Sequence, residues 1–320
     1  MLALSDSDIL KLLNLPAIIA AVQEATLAIH DPQTVLPQRQ HLDWPGTTLL
    51  IMPVRAAQAA GVKLVSVIPG NAERGLPVTN GTMLLNDGVT GLPLCIMNAA
   101  QLTAVRTGAI GALSIQHMTP KTLTSLGIIG CGAQGAWQAI CACEVRPIHE
   151  IFYWARSPQR ERQFIQTVRR HVPDVRLTSC PNATHLLSQT SLVVLATTSP
   201  VPVLPDEPDL LRGKHFISVG SFKSSMQELP MSVFRLAAQL VIDSDAAREE
   251  VGDAINPIRA GILRSEDIYH LSNLVLGTRS VNVEQTTAFK SVGLAIYDLF
   301  VAETIYREAL RANVGRHLEL

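Results

Sequence analysis

The chain has 320 residues, 47% apolar and 17% charged, with a mean hydropathy of +0.23. This excludes a disordered protein and leaves room for two ordinary domains. Its 26 Lys and Arg against 27 Asp and Glu give a formal charge of -1, so no global field exists to gather nucleic acid or an anionic membrane surface. The five cysteines show no CxxC spacing, no apolar run approaches the roughly 18 residues a membrane span needs, and MLALSDSDILKLL lacks an export signal; a cytoplasmic protein with reduced thiols and no metal site is expected.

In chain order, the periodicity predicts a helix from Ser5 to Ile29, with Ser5 as N-cap and an apolar stripe through Ile9, Leu12, Leu13, Ile18, Ile19 and Val22. Strand-like segments follow at 48–54, 61–70 and 82–98. Within the last, Asn86-Asp87-Gly88 and Thr90-Gly91 mark a hairpin and hence antiparallel pairing. NAAQLTAVRTGAIGALSIQHM then reads as a helix rich enough in Ala and Gly to approach other backbone closely. After it the style changes: TSLGIIG, EIFYWA, LVVLAT, HFISVG and QLVIDS are short apolar runs separated by helical patterns, the mark of βαβ units around a buried parallel sheet. The expected fold class is α/β. A Rossmann-type doubly wound domain is placed over 117–299, and a smaller α+β domain over 1–116 together with 300–320, with the last helix closing back on it. Asp245, after QLVIDS, is expected to cap the helix AAREE.

Gly130-Cys131-Gly132-Ala133-Gln134-Gly135 directly follows the apolar run 126–129 and opens a helix. In that position the glycines permit a tight turn, a close approach of backbone to a pyrophosphate and close helix–strand packing, while the helix N-terminus attracts the anion. Dinucleotide binding is therefore predicted, with Gly130, Gly132, Ala133, Gln134 and Gly135 as contacts. The second strand, IFYWA, runs into Ala155-Arg156-Ser157, with Arg160 beyond, where an NAD-preferring site usually carries a carboxylate for the ribose hydroxyls. Arg156, Ser157 and Arg160 suit a 2′-phosphate, so NADP(H) is preferred and NAD(H) is possible. A solvated loop arginine is the plain alternative.

Three cations in the first half stand in apolar company. Arg39 lies in LPQRQHLDW, Lys63 interrupts AGVKLVSVIPG, and Arg106 adjoins the stripe Leu102, Val105, Ala109 and Leu113. Taken singly, an edge-strand gatekeeper and two snorkelling arginines explain them.

Their surroundings change that reading. AGVKLVSVIPGN, RGLP, the Asp-x-x-Thr-Gly hairpin, LTAVRTGAIGALS, LGIIGCGAQG and FKSVGLAIYDL together resemble the ornithine cyclodeaminase/mu-crystallin family, in order and over nearly the whole chain. The resemblance implies a homodimer built on the smaller, substrate-binding domain, with the active site in the cleft between that domain and the Rossmann domain. It implies that Arg39, Lys63 and Arg106 hold the carboxylate of a small imino or amino acid, and that Thr197, Thr198, Ser221, Ser291 and Gly293 touch the cofactor.

The family spans several reactions, and Phe222 in SVGSFKSSMQELP bears on the choice. The cyclodeaminase branch usually carries an aspartate at that position, where it handles the distal amine; a phenyl ring can neither take a proton nor pair with an ammonium. The segment LLIMP (49–53) likewise lacks an acid. Phe222 is thus expected to meet an apolar ring of the substrate, and the loop resembles that of bacterial reductases of Δ1-pyrroline-2-carboxylate and Δ1-piperideine-2-carboxylate. The implied reaction is NAD(P)H-dependent hydride transfer to the imine carbon, giving L-proline or L-pipecolate, with Lys63 orienting or protonating the nitrogen. His41, two residues from Arg39, is a second proton-donor candidate, although a solvated polar face explains it as well. Ornithine cyclodeamination with bound NAD, or a crystallin-type NADP-binding protein without turnover, are the alternatives.

Overall fold

In the computed structural model, which describes residues 1–56 and 58–319, the chain forms two compact units. One comprises 1–106 with 294–320, the other 107–293. The first unit begins with β1 (Leu2–Leu4), α1 (Asp6–Lys11) and α2 (Leu15–Ala28). The single helix expected over 5–29 is therefore two. Ser5 does cap α1, in a reciprocal pair with Asp8, but Asn14 starts a new helix by accepting from the Ala17 amide at 3.2 Å, with Pro16 pre-set in the first turn.

Then come β2 (Gln40–Trp44), β3 (Thr47–Ala56), β4 (Ala59–Val67), β5 (Thr79–Asp87) and β6 (Pro93–Asn98). Among the described residues they form one sheet, in the order β1-β6-β5-β4-β3-β2, with the short strand Arg316–His317 beyond β1. From β2 to β6 every neighbouring pair is antiparallel. Strand alternation sorts the side chains. Met52, Lys63, Met83 and Met97 fall in register on one face and are buried; α2 and the C-terminal helix Ala295–Ala312 pack on this unit's sheet. Leu42, Leu49, Ile51 and Leu64 lie on the opposite face, where Leu42 and Leu64 are exposed, as is Trp44 two residues on from Leu42.

α3 (Ala99–Met118) is one continuous helix whose first half belongs to the first unit and whose second half opens the other. In the second unit β7 (Ser125–Ile129), β8 (Glu150–Trp154), β9 (Arg176–Ser179), β10 (Leu192–Leu195), β11 (His215–Ser218), β12 (Leu240–Ile242), β13 (Ile268–His270) and β14 (Thr287–Lys290) pair entirely in parallel, in the order β13-β12-β14-β11-β10-β7-β8-β9. Strand order reverses direction between β7 and β10. Ligands of open α/β sheets bind at such a point, beyond the carboxyl ends of the strands. The helix α4 (Ala133–Val145) follows β7, and α5 (Pro158–His171) follows β8.

The small residues of α3 let α4 come close. A Cβ on Gly108 would meet the Trp137 carbonyl oxygen at 2.6 Å and the Cys141 sulfur at 2.9 Å, and that carbonyl belongs to helical backbone that cannot step aside alone. At the far end of α3, Arg146 donates to the carbonyls of Ile115, Gln116 and Thr119 at 2.7, 3.0 and 2.9 Å, satisfying groups the helix leaves open. Gly108→Ala should accordingly lower unfolding stability by about 1–3 kcal/mol, read as a fall in the denaturant midpoint with little change in slope.

Candidate active site

In the first unit the register places Lys63 opposite Met52 on β3, and the row continues toward Arg39, one residue ahead of β2. Lys63 is 2% exposed and Arg106, from α3, is 5% exposed, so neither has bulk water to solvate its charge. The side chain that satisfies both is Asp298, in the first turn of the C-terminal helix and fully buried. Its Oδ2 lies 2.6 Å from Lys63 Nζ, and its Oδ1 accepts from Arg106 Nε at 3.1 Å. Thr103 adds its hydroxyl at 3.4 Å from Lys63 Nζ and 3.5 Å from Asp298 Oδ1.

Burial pulls the Lys63 ammonium down to about 8; Asp298 opposes that fall, while the charges of Arg106 and Arg39 add to it. Asp298 goes the other way. Burial alone would raise it, but Arg106 and Lys63 hold it below the usual carboxylate range. An electrostatic effect of Arg39 on Lys63 means that the three cations share one neighbourhood. His41, by contrast, is exposed on β2. Sequence reading assigned no acid to this cluster, and Asp298 corrects that. Its signal was present but faint: one carboxylate amid the buried run Ala295, Ile296, Tyr297 and Leu299.

In the second unit the glycine-rich turn joins β7 to α4 at the strand-order switch. Gly130 has φ +104°, and a Cβ there would strike the Ala196 carbonyl oxygen at 2.5 Å; on Gly135 it would strike that of Gly130 at 2.1 Å. Above Gly132 nothing lies within 4 Å, and the buried Gln134 Oε1 has no hydrogen-bond partner among the described residues. A turn closed on the protein side and open above suits a pyrophosphate at the N-terminus of α4, so the residues present fit a dinucleotide. Arg156 and Arg160 are exposed after β8, and Ser157 caps α5, accepting from the Arg160 amide at 3.5 Å.

The loops after β10 and β11 carry Thr197, Thr198, Ser221 and Phe222, and they are tied to one buried acid. Glu228 Oε1 accepts from the Thr197 amide at 2.6 Å and its hydroxyl at 2.9 Å. Oε2 accepts from the Ser218 hydroxyl at 2.8 Å and from the amides of Gly220 and Ser221 at 2.8 and 3.2 Å. Burial pushes Glu228 above its ordinary value, with Lys290 opposing and Asp253 adding to the rise. Asp253 accepts from the Ser221 hydroxyl and, at 2.9 Å each, from the amides of Glu228 and Leu229. Lys290 Nζ stands 3.6 Å from Asp253 and 3.0 Å from Ser218 Oγ.

One strand further, Asp243 accepts from the Ser291 hydroxyl at 2.6 Å and the Gly293 amide at 2.7 Å. The cap of the next short helix is Ser244, not Asp245, which sits in its first turn and pairs with Arg248 at 2.9 Å. Thr198 is exposed, and Phe222 is 38% exposed with Lys223 Nζ 5.7 Å from its ring centroid. Sequence reading did not single out Glu228, Asp253, Lys290 or Asp243. A lysine ending the buried strand TAFK was the visible hint.

A family model described as the ornithine cyclodeaminase/mu-crystallin family matches residues 5–313. The chain belongs to that family. Among family relatives, a protein of Bacillus cereus named Delta(1)-pyrroline-2-carboxylate reductase is 32% identical over 327 residues, covering 100% of both chains. The structure of Thermococcus litoralis Delta(1)-pyrroline-2-carboxylate reductase in complex with NADH and L-proline is similar, with a TM-score of 0.92, 31% identity and coverage of 99% of this chain and 100% of that one. An archaeal alanine dehydrogenase dimer with bound NAD has a TM-score of 0.90 and 26% identity, over 100% of this chain and 99% of that one.

Glu228→Gln tests the loop clamp of this family member. An amide must point its two donors at one set of Glu228's present donors, so unfolding stability should fall by about 3 kcal/mol, measured by denaturant titration, and dinucleotide affinity should fall with it.

Proposed function

We propose that this protein reduces cyclic ketimine 2-carboxylates, Δ1-pyrroline-2-carboxylate and Δ1-piperideine-2-carboxylate, to L-proline and L-pipecolate, using a reduced nicotinamide dinucleotide with NADP(H) preferred. The observation that carries this reading is the buried cluster of Lys63 and Arg106, with Arg39 nearby and Asp298 its shared carboxylate. Two buried cations against one carboxylate leave positive charge in excess even before Arg39 is counted, which suits a ligand bringing one carboxylate and little other charge. The names of the Bacillus and Thermococcus relatives, and the NADH and L-proline in the latter's structure, support the same reaction class.

In this reading Arg106, whose Nε is given to Asp298, offers its two terminal nitrogens to the substrate carboxylate, with Arg39 as the second anchor. Lys63 keeps a donor for the imine nitrogen. A pKa near 8 makes its proton transferable at ordinary pH, and Asp298 holds the ammonium in place. The bound dinucleotide supplies the hydride that converts C=N to CH–NH. Phe222 offers the ring of the substrate an apolar surface in place of an acid. Gly130, Gly132, Ala133, Gln134 and Gly135 hold the pyrophosphate, Arg156 and Arg160 meet a 2′-phosphate, and Thr197, Thr198, Ser221, Ser291 and Gly293 shape the nicotinamide end. A homodimer formed through the sheet face of Leu42, Trp44 and Leu64 accounts for the exposure of those side chains.

Mixing the protein with NADPH and either cyclic imine should produce a steady fall in reduced-nicotinamide absorbance. Absence of any fall with both imines, accompanied by ammonia release from ornithine, would overturn the assignment. For the cofactor, Arg156→Asp is expected to weaken NADPH binding about ten- to hundredfold while NADH changes little. Equal weakening of the two would remove Arg156 from the phosphate site.

A further inference from the structure

Asp298 is the member of the charged cluster that touches no part of the proposed substrate, and it has no role in the reaction as described above beyond holding Lys63. Its placement is nonetheless demanding. A fully buried carboxylate costs several kcal/mol of lost hydration, and it is compensated here because each oxygen is given to a different cation. Lys63 and Arg106 would otherwise face each other as like charges with almost no water.

The groups facing Lys63 come from every side of it. Asp298 and Arg106 reach it from the C-terminal helix and α3, Arg39 from the segment ahead of β2, and the neighbouring strands contribute only Met52 and Met83 in register. Among the described residues Asp298 is therefore the anion acting on this lysine, and two of its cationic neighbours work against the charged form.

We propose that Asp298 is a positioning residue for catalysis: it keeps Lys63 protonated in a buried site and, by engaging Arg106 through Nε, fixes the guanidinium with its forked end left for the substrate carboxylate. This rests on the ketimine-reductase reading, in which Lys63 acts as an acid. It adds that loss of activity at high pH is governed by a residue that never meets the substrate. Removing the negative charge while keeping the shape should let burial and the two arginines pull the Lys63 midpoint down. Because the protonated form is the active one, activity is present below that midpoint and lost as pH rises through it, and the alkaline limb should move to lower pH.

The test uses full-length Asp298→Asn and Asp298→Glu. In Asp298→Asn, kcat/KM for Δ1-pyrroline-2-carboxylate should fall about a hundredfold, and its alkaline limb should move down by about one pH unit or more. Asp298→Glu restores the charge but displaces it. It should keep the limb near its wild-type position while raising KM at least about tenfold. Lys63 is also followed directly, by the ¹³Cε shift of labelled lysine assigned against Lys63→Met, with a lower midpoint expected in Asp298→Asn.

A fall in rate with no movement of the limb or of the NMR midpoint would mean a merely structural residue and overturn the proposal, as would a wild-type KM in Asp298→Glu. Should Asp298→Asn fail to fold, Asp298→Glu decides alone. Should the wild-type protein fail to reduce imines, the reaction assignment falls, while the Lys63 midpoint in the two proteins still decides whether Asp298 controls its ionisation.

Discussion

A carboxylate with one oxygen on a lysine and the other on an arginine, all three side chains almost out of water, is the constraint around which the first unit is organised. Lys63 sits on a strand of the sheet, Arg106 on the helix that follows that sheet in the chain, and Asp298 on a helix whose residues come nearly two hundred positions later. The polypeptide must return to the first unit after completing the second, and the helix Ala295–Ala312 does so, packing on α2 and on β3, β4 and β5. Apolar packing supplies the bulk of the driving force, since Ile296, Tyr297, Leu299, Val301 and Ile305 of that helix are buried. The ion pair selects among the ways such a helix could lie, because any rotation that withdraws Asp298 strands two buried cations.

The second unit solves a different problem with the same device. Its strands end in irregular loops whose inner amides, among them those of Thr197, Gly220 and Ser221, have no ladder to satisfy them. Glu228, Asp253 and Asp243 take that place. Between them they accept from the amides of Thr197, Gly220, Ser221, Glu228, Leu229 and Gly293, while Lys290 offsets part of the accumulated negative charge. Loops held in this way can present Thr197, Ser221 and Phe222 at fixed positions without regular secondary structure, which is what a site built on strand ends requires.

Both devices explain what could be read from the sequence and what could not. The glycine turn was legible because its requirement is local: Gly130 and Gly135 have no room for a Cβ, Gly130 also needs a positive φ, and the turn is bracketed by a strand and a helix. The parallel sheet was legible because buried strands are apolar throughout. Lys63 stood out as a cation interrupting an apolar strand, but alone it reads equally as an edge-strand gatekeeper, and only the family resemblance pointed from it to a site. The partner itself did not stand out, since Asp298 lies 235 residues away and nothing in the spacing links the two. Glu228 was similarly hidden, for a single acid before Leu-Pro looks like any loop charge until the amides converge on it. Apolar periodicity across Leu12 and Leu13 masks the break after α1, although Asn14 followed by Pro16 carries the stronger, steric signal for a new helix start. Asp245 likewise resembles a cap in the sequence, since acids are favoured there, although Ser244 occupies the capping position.

Charge counting in the first unit bears on ligand choice in a way that the single position Phe222 does not. Lys63 and Arg106 share one carboxylate, and the charge of Arg39 also reaches Lys63, so the cluster holds more positive than negative charge with almost no water to screen it. A ligand carboxylate placed against Arg106 would offset that excess, whereas a ligand whose only charge is an ammonium would add to it. The excess thus selects for an anion at this point of the first unit, and what lies beyond the anion is left to the side chains that meet the rest of the ligand.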